Sequence, residues 1–230
     1  MSSTFVSMSE TRSRLLDAGI ELLHEIGLRA GVAHVRLAEV ARRAGYAPSA
    51  AYRCWATQED FHRDLAAAAL AWRSDRALIG DTTRMVRAII SAQAPWQEVL
   101  RVGGNSNVHR TPAEVEFHTA LALRAAGGCD PDLRGAAEER VAEGLRAHVE
   151  LYTVLLNVYG REMRPPYTIE LVTATIGALA DGFAIQDVSG ERHPHLERDD
   201  VGEGVGTDWT LFACVLEIVV ERMTRPRSPA

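Results

Sequence analysis

The chain has 230 residues, of which 47% are hydrophobic and 24% charged, as is typical of a globular protein with one large or two small domains. No apolar run reaches the roughly 18 residues of a membrane span and no secretory leader pattern is visible, so we expect a cytoplasmic protein with no membrane partner. Cys54, Cys129 and Cys214 lie far apart without CxxC spacing, which argues against a disulfide framework and a zinc finger.

The distribution of charge singles out one segment. The formal net charge is −6, yet residues 1–80 carry ten arginines and nine acids, while residues 81–230 carry fifteen arginines and twenty-two acids. Between residues 33 and 55 there are four arginines and one acid, Glu39, and the chain contains no lysine. Because contact with phosphate needs a local positive excess, this segment is suited to a nucleic acid.

Hydrophobic spacing and turn residues predict four helices in the N-terminal part, over residues 8–26, 35–44, 48–54 and 57–79. Gly27 is a natural end for the first helix, Gly45 lies in a tight turn after the second, and Pro48 suits the first position of the third. Thr57 starts the fourth with a capping signal.

The rest of the chain also has helical spacing, over residues 82–91, 96–102, 113–125, 132–159, 168–188 and 208–223. Gly103 to Asn107 is predicted to be a plain loop, because no Gly-Lys-Ser/Thr follows that would indicate phosphate binding. No alternation with period two is long enough to predict a sheet. The predicted fold class is therefore all-α, with about nine or ten helices.

Two short helices joined by a turn at Gly45 and followed by a third element form the pattern of a helix-turn-helix. Gly45 can adopt the positive φ that the turn needs, and Ala51 and Trp55 are expected to face inward. In such a motif the second helix enters the major groove and the first crosses the DNA backbone. The arginines on the first helix of the motif, over residues 35–44, are therefore candidate phosphate contacts: Arg36, Arg42 and Arg43.

The N-terminal sequence resembles that of tetracycline-repressor-like (TetR) regulators over about fifty residues, at 14–27 (RLLDAGIELLHEIG), 37–55 (LAEVARRAGYAPSAAYRCW) and 57–60 (TQED). The Ala-Gly turn, the Tyr-Arg pair, the following aromatic residue and the Thr-x-Glu restart all match. This resemblance implies an N-terminal three-helix DNA-binding domain and a C-terminal helical ligand-binding and dimerisation domain. Arg36 and Gln58 depart from the family, which often has a small hydroxyl residue and a phosphate-contacting lysine there.

The resemblance also implies contacts with double-stranded operator DNA around the third helix. The candidate residues are Arg36, Arg42, Arg43, Ala47, Pro48, Ser49, Ala50, Tyr52, Arg53, Thr57 and Gln58. This helix offers few hydrogen-bond donors to base edges, so we expect base reading to rest on Ser49, Tyr52 and apolar contact with thymine methyl groups.

The predicted domain division follows from the same motif. Residues 8–56 form the DNA-binding domain, with the motif at about 36–55, and a connecting helix covers 57–79. Residues 80–225 form the ligand-binding and dimerisation domain. The remaining residues, 1–7 and 226–230, are predicted to be disordered tails.

Two C-terminal helices carry apolar residues at steps of three and four, which predicts a seam against a partner helix. The candidate dimer-interface residues are Ile169, Val172, Ile176, Leu179, Phe183, Trp209, Phe212, Leu216, Val219 and Met223. A second apolar row, which includes Leu171 and Ile218, means that one face can serve the subunit core while the other meets a symmetry mate. Two helices from each subunit would then form a four-helix bundle.

The family resemblance further implies a cavity for a small-molecule effector among the central helices. The candidate lining residues are Trp96, Phe117, His118, Tyr152, Asn157, Tyr159, Phe183 and Gln186. Each of these also fits an ordinary core position. The segment with His193 and His195 is rich in acids, but it is predicted to be a solvated loop, so neither a metal nor another cofactor is expected.

We therefore expect a dimeric transcription regulator, a repressor that an effector releases from a palindromic operator. One alternative is a helical ligand- or protein-binding module that has lost operator binding. An enzyme on a helical bundle is a further alternative, but no ordered Ser/His/Asp set, no paired Glu-x-x-His and no nucleotide-binding glycine loop is present, so we predict no enzyme.

Overall fold

The computed structural model describes residues 8–26, 31–71, 78–110, 115–127 and 131–228. These residues form ten helices: α1 (Met8–Ile26), α2 (Leu37–Arg43), α3 (Pro48–Ala51), α4 (Gln58–Ala71), α5 (Leu78–Ser91), α6 (Trp96–Arg110), α7 (Val115–Gly127), α8 (Pro131–Val158), α9 (Ile169–Val188) and α10 (Leu211–Met223). They also form four strands of three residues each: β1 (Arg161–Met163), β2 (His195–Glu197), β3 (Asp208–Thr210) and β4 (Thr224–Pro226).

The all-α prediction is confirmed, because the strands form only two short antiparallel ladders. Strand β1 pairs with β4, with Glu162 opposite Arg225, and β2 pairs with β3, with Leu196 opposite Trp209. Three-residue strands show no alternation long enough to be recognised in a sequence.

Two predictions about irregular segments are wrong. Gly103 to Asn107 is not a loop but the middle of α6, which runs to Arg110. The predicted disordered tail at residue 226 is also ordered at its start, because Pro226 pairs in the β1–β4 ladder and the Arg227 backbone N–H donates to the Gly160 carbonyl at 2.8 Å. In both segments, residues that are distant in sequence supply the packing or hydrogen-bonding partner.

The chain divides into two compact units, and the division differs from the predicted one. Unit 1 contains residues 1–72 and 115–141, and unit 2 contains residues 73–114 and 142–230. Residues 115–141, predicted to belong to the C-terminal domain, group with the N-terminal helices because Leu123 and Leu133 are buried in the same apolar core as those helices. The predicted connecting helix over 57–79 corresponds to α4 and the first residues of α5, and residues 72–77 lie outside the described residues.

The core of unit 1 forms where α1 and α4 pack together with the two short helices α2 and α3. Leu15 and Leu23 of α1, Leu37 of α2, and Phe61 and Leu65 of α4 are fully buried. Burying a side chain of this size stabilises the fold by about 1.5–3 kcal/mol, which far exceeds the propensity of a four-residue helix to form alone. The shape of the motif therefore depends on this shared core.

Unit 2 is built around the packing of α10 on α6 and α9. Val172 and Ile176 of α9 are buried with Phe212 and Leu216 of α10 in one apolar cluster. Helices α6 and α10 approach most closely at Gly104, where an added Cβ would lie 2.5 Å from the Cα of Ala213. A glycine inside a helix is therefore required here by the neighbouring backbone.

We predict opposite effects of alanine at the two adjacent glycines of α6. Gly104→Ala should lower the free energy of unfolding by about 1–3 kcal/mol, because backbone atoms of α10 must move. Gly103→Ala is the matched control: nothing lies within 4 Å of its added Cβ, so the higher helix propensity of alanine should raise stability by about 0.5–1 kcal/mol. Urea unfolding followed by circular dichroism measures both, and equal effects would contradict the close crossing.

Candidate nucleic-acid interface

The turn between α2 and α3 has the geometry that the sequence predicts. Gly45 has a φ of +77°, and the backbone N–H of Tyr46 donates to the carbonyl of Ala41 at 2.8 Å. Val40, Ala41 and Ala51 are fully buried, so the two short helices meet through small side chains. The helix-turn-helix is therefore packed as a unit within the core of unit 1.

Trp55 fixes the end of this motif to two other helices. Its indole N–H donates to the Asp64 carboxylate of α4 at 2.7 Å, and Arg12 of α1 forms an ion pair with the same carboxylate. The Arg12 guanidinium lies 5.1 Å from the Trp55 ring centroid, and Phe61 contacts the ring edge-on at 5.2 Å. The indole is only 3% exposed, so this network holds the segment after α3 in place with its polar N–H satisfied.

The side chains predicted to face the DNA lie largely in solvent. Ala47, Pro48, Ser49 and Arg53 are exposed, and Tyr52 is 49% exposed. Ala50 is half-buried and Ala51 is fully buried. The inward direction predicted for Ala51 and Trp55 is thus confirmed, and α3 presents its other side chains to solvent.

The arginines around the motif divide into free and paired groups. Arg36, Arg42 and Arg53 are exposed, and no carboxylate among the described residues pairs with them. Arg43 instead binds both carboxylate oxygens of Glu25 on α1, one of them at 2.8 Å, and its guanidinium lies 3.7 Å from Glu21. The hydrogen bond from Arg43 lowers the pKa of Glu25. Arg43 therefore ties α2 to α1, and its guanidinium is already paired with a carboxylate.

Gln58, a candidate DNA contact, has hydrogen bonds within unit 1 that the sequence does not predict. Its Oε1 accepts from the backbone N–H of Leu37 at 3.0 Å, and its Nε2 donates to the Val35 carbonyl at 2.9 Å. Gln58 Nε2 also lies 2.7 Å from His62 Nε2, which itself lies 2.9 Å from the Val35 carbonyl. Because an N-terminal amide of a helix lacks an intrahelical partner, Gln58 acts as a cap for α2 supplied from α4.

Thr57 caps its own helix, as predicted. Its hydroxyl oxygen accepts from the backbone N–H of Asp60 at 3.0 Å, and the hydroxyl lies 2.7 Å from the Asp60 carboxylate. The hydrogen bond from Thr57 lowers the pKa of Asp60. A carboxylate thus already lies in the first turn of α4, where the free amides favour negative charge.

The predicted ligand-pocket residues do not all come together. Trp96, Tyr152, Tyr159 and Phe183 are half-buried and pack in the apolar clusters of unit 2. Asn157 and Gln186 are exposed, and Asn157 accepts a hydrogen bond from Arg227 at 2.5 Å. His118 belongs to unit 1, and the side chain of Phe117 lies outside the described residues. The predictions for Asn157 and Gln186 are therefore corrected, and that for His118 stays a prediction.

An aromatic cluster remains in unit 2. The rings of Trp96 and Tyr159 lie 5.3 Å apart, and the Arg161 guanidinium lies 5.1 Å from the Trp96 ring centroid. Phe183 packs edge-on against Phe212 at 5.3 Å. Burial raises the pKa of Tyr152 to about 12, and its neutral hydroxyl can donate a hydrogen bond.

The predicted dimer seam is largely the core of unit 2. Five of its members are buried within the same chain: Val172, Ile176, Trp209, Phe212 and Leu216. A residue that is buried inside its own subunit cannot contact a second one, so these five are removed from the candidate interface. Ile169, Leu179, Phe183, Val219 and Met223 are half-buried at the edge of the same packing.

The exposed apolar surface lies on the other row of the two helices. Leu171 and Ile185 of α9 are 52% and 50% exposed, and Ile218 of α10 is 66% exposed. Between the two α9 residues, Ala174, Ala178 and Gly182 are exposed at steps of four. Sequence reasoning missed these small residues, although their spacing is the signal of a close helix–helix crossing.

Helix α9 carries apolar residues on two opposite faces. It is the one helix among the described residues that is long and apolar enough to cross a membrane by length and composition alone. One face of it packs against α6 and α10 in the core of unit 2, and the other is the exposed row just described. A helix with apolar residues on two opposite faces has a composition similar to that of a membrane span, even when one face is packed in a core.

The segment with His193 and His195, predicted to be a loop, is not a loop throughout, because His195 begins strand β2. Across the described ranges, no group of three His, Cys, Asp or Glu side chains could hold a metal ion. His195 Nδ1 lies 2.9 Å from the exposed Asp208 carboxylate, and the His193 ring packs on Phe183 at 4.7 Å. Both histidines therefore lie against neighbours in the same unit.

Comparison with known proteins identifies similar solved structures. No family model matches the chain, and no curated protein is similar to it. A protein from Rhodococcus sp. that is provisionally assigned to the TetR family of transcriptional regulators is 19% identical, with 80% of this chain and 90% of that chain covered and a TM-score of 0.46. NalD from Pseudomonas aeruginosa, the secondary repressor of the MexAB-OprM efflux pump, is 20% identical, with 79% and 85% covered and a TM-score of 0.44. The fatty acid degradation regulator FadR from Bacillus halodurans is 14% identical, with 90% and 91% covered and a TM-score of 0.44.

These values are too low to carry an argument about function. All three identities lie below 25% and all three TM-scores below 0.5.

We predict that Gln58 stabilises unit 1 through its cap on α2. Gln58→Ala should lower the free energy of unfolding by about 1–2 kcal/mol, because the Leu37 amide loses its partner. Hydrogen exchange at Leu37 should become faster. Glu59→Ala, at the exposed next position, should change stability by no more than about 0.5 kcal/mol. Equal losses in the two variants, measured by urea unfolding, would contradict the capping role.

Proposed function

We propose that this chain is a homodimeric transcription regulator that binds operator DNA through α3, as expected from its TetR-like sequence. The observation that carries the proposal is the exposed side of α3, held outward by the buried Ala51 and Trp55. A helix of this kind fits the major groove, which is wide enough to admit it. No catalytic role is proposed.

Electrostatics supports the same assignment. Arg36, Arg42 and Arg53 are exposed without a carboxylate partner among the described residues, so their charges are available to phosphates. Arg43 and Gln58 are left out of the proposed contacts because both are held by other parts of unit 1. The proposed phosphate contacts are thus fewer than the sequence predicts.

The second part of the proposal is a two-fold dimer through α9 and α10. Its surface is the exposed row that contains Leu171, Ala178 and Ile185 of α9 and Ile218 of α10. Small residues in the middle of this row allow two α9 helices to approach closely, and the larger residues at its ends add apolar area. Two α3 helices would then contact successive major grooves about one helical turn apart on a palindromic site.

The third part is a small-molecule effector in unit 2. We place it beside the aromatic cluster of Trp96, Tyr152 and Phe183, which supplies apolar area together with the buried Tyr152 hydroxyl. An effector that releases DNA must bind better to the conformation that does not fit the operator, and a coupling of about 1–3 kcal/mol is typical. A repressor acting on operator DNA would be cytoplasmic.

One observation favours a second candidate function, a binding module that has lost operator binding. The exposed part of α3 carries few hydrogen-bond donors. Gln58, at a position where TetR regulators often have a lysine, is hydrogen-bonded to Leu37 and Val35. Affinity for DNA that hardly depends on salt would favour this alternative, since phosphate contacts make the dependence steep.

We predict that two adjacent arginines of α2 differ in their effect on DNA binding. Arg42→Gln should weaken binding to a duplex from the DNA upstream of the gene and reduce the slope of log K against log[salt] by about two, one phosphate for each subunit. Arg43→Gln is the matched control and should leave the slope unchanged, because Glu25 already pairs with Arg43. Fluorescence anisotropy from low to moderate salt measures both. Equal slopes for Arg42→Gln and the unmodified protein would count against the proposed contact.

We predict that a charge on the exposed row of α10 separates the subunits. Ile218→Asp should give a monomer at micromolar concentration, because the aspartate would be buried without a partner in the dimer. Val154→Asp, at a 53% exposed position of α8, is the matched control and should remain dimeric. Light scattering coupled to size exclusion measures the mass, and circular dichroism checks that helicity is retained. A dimer that persists in folded Ile218→Asp would exclude this interface.

A further inference from the structure

We infer that the α3 surface selects its DNA site mainly through the C5-methyl groups of thymine. The inference rests on the proposed function, since it concerns how the same surface distinguishes one sequence from another. Two kinds of observation carry it: the hydrogen-bonding side chains that are already occupied, and the apolar groups that remain exposed.

The side chain best suited to reading adenine is already in use. Adenine is read by two hydrogen bonds from Asn or Gln, and Gln58 is the only such residue among the first 92 positions. Its Oε1 is bonded to the Leu37 amide and its Nε2 to the Val35 carbonyl. Reading adenine with Gln58 would therefore remove the cap of α2.

Guanine, by contrast, is read by two hydrogen bonds from Arg or Lys. The chain has no lysine, and α3 from Pro48 to Ala51 contains no arginine. Arg43 is paired with Glu25, while Arg36 and Arg42 lie before or on α2, the helix that crosses the DNA backbone in such a motif. Arg53, like Tyr52, lies just beyond Ala51 and is exposed, and we assign its guanidinium with these two to phosphates.

The groups that α3 does offer are mostly apolar. Next to the single short hydroxyl of Ser49 in sequence are the methyl groups of the exposed Ala47 and the half-buried Ala50, the exposed ring of Pro48 and the half-exposed ring of Tyr52. A hydroxyl both donates and accepts, so Ser49 and the Tyr52 O–H fit any base and distinguish little. The only apolar group on the major-groove edge of a base pair is the thymine methyl. The occupant that matches this surface is therefore a thymine-containing half-site.

The expected size of the effect follows from the area involved. Burying one methyl group against an apolar surface is worth about 0.8 kcal/mol, which corresponds to about a fourfold change in affinity. Two contacted thymines in each half-site of a dimer would together change affinity by about 200-fold. This range is sufficient for sequence preference without any bidentate hydrogen bond.

The test replaces thymine by uracil, which removes the methyl group and leaves every hydrogen-bonding group of the base pair in place. The probe is a duplex enriched from a random library by the full-length protein. Uracil at single positions of its half-sites should weaken binding about fourfold for each contacted thymine, whereas uracil in the flanking sequence should have no effect. Full affinity of a duplex with uracil throughout both half-sites would overturn the inference. If no duplex is enriched over the random library, the proposed function itself fails.

Two variants assign the contact to α3. In Tyr52→Ala, and separately in Ala50→Gly, the preference for thymine over uracil at one position of the half-site should fall from about fourfold to about one. Arg42→Gln should weaken binding to both duplexes equally, since a phosphate contact does not depend on the base. An unchanged preference in both α3 variants, with folding confirmed by circular dichroism, would show that another surface reads the methyl group and would overturn the assignment.

Discussion

The orientation of α3 depends most on the hydrogen bond between the buried Trp55 indole and Asp64. This bond joins the segment after α3 to α4, and the ion pair of Asp64 with Arg12 extends it to α1. A buried N–H without a partner costs about 1–3 kcal/mol, so the bond strongly favours one orientation of the indole. With Trp55 and Ala51 turned inward, the rest of α3 has no place in the core. The orientation of the candidate DNA-binding surface is thus a consequence of a core interaction.

The charges around the motif show why net charge is a poor guide to this protein. The chain is acidic as a whole, and within the motif one arginine, Arg43, is used for packing against Glu25. What matters for phosphate contact is the number of guanidinium groups without a carboxylate neighbour. Arg36, Arg42 and Arg53 meet that condition among the described residues, and all of them flank α3 in sequence.

Much of the fold could be predicted from the sequence, because its signals are local. The bounds of α1, the positive φ of Gly45 and the inward position of Ala51 follow from residue types and spacing. The roles of Arg43 and Gln58 could not be predicted, since their partners lie eighteen and twenty-one residues away in sequence. The helical state of Gly104 likewise depends on Ala213 of another helix.

The apolar rows of α9 and α10 illustrate a second limit. Spacing correctly indicates that both helices have two apolar rows, but it does not say which row meets the subunit's own core. The structure assigns the row with Val172 and Phe212 to the core, because α6 packs there, and leaves the row with Ala178 and Ile218 exposed. Only the positions of the neighbouring helices distinguish the core row from the exposed row.

The central claim is that two copies of α3 bind duplex DNA together. Footprinting of the full-length protein on the DNA upstream of its own gene tests it most directly. This arrangement predicts protection of two inverted half-sites whose centres are about 34–36 Å, one helical turn, apart. It also predicts that folded Ile218→Asp loses this paired protection at the same protein concentration. A folded dimer that protects no specific sequence, or protection of a single half-site by the dimer, would contradict the account.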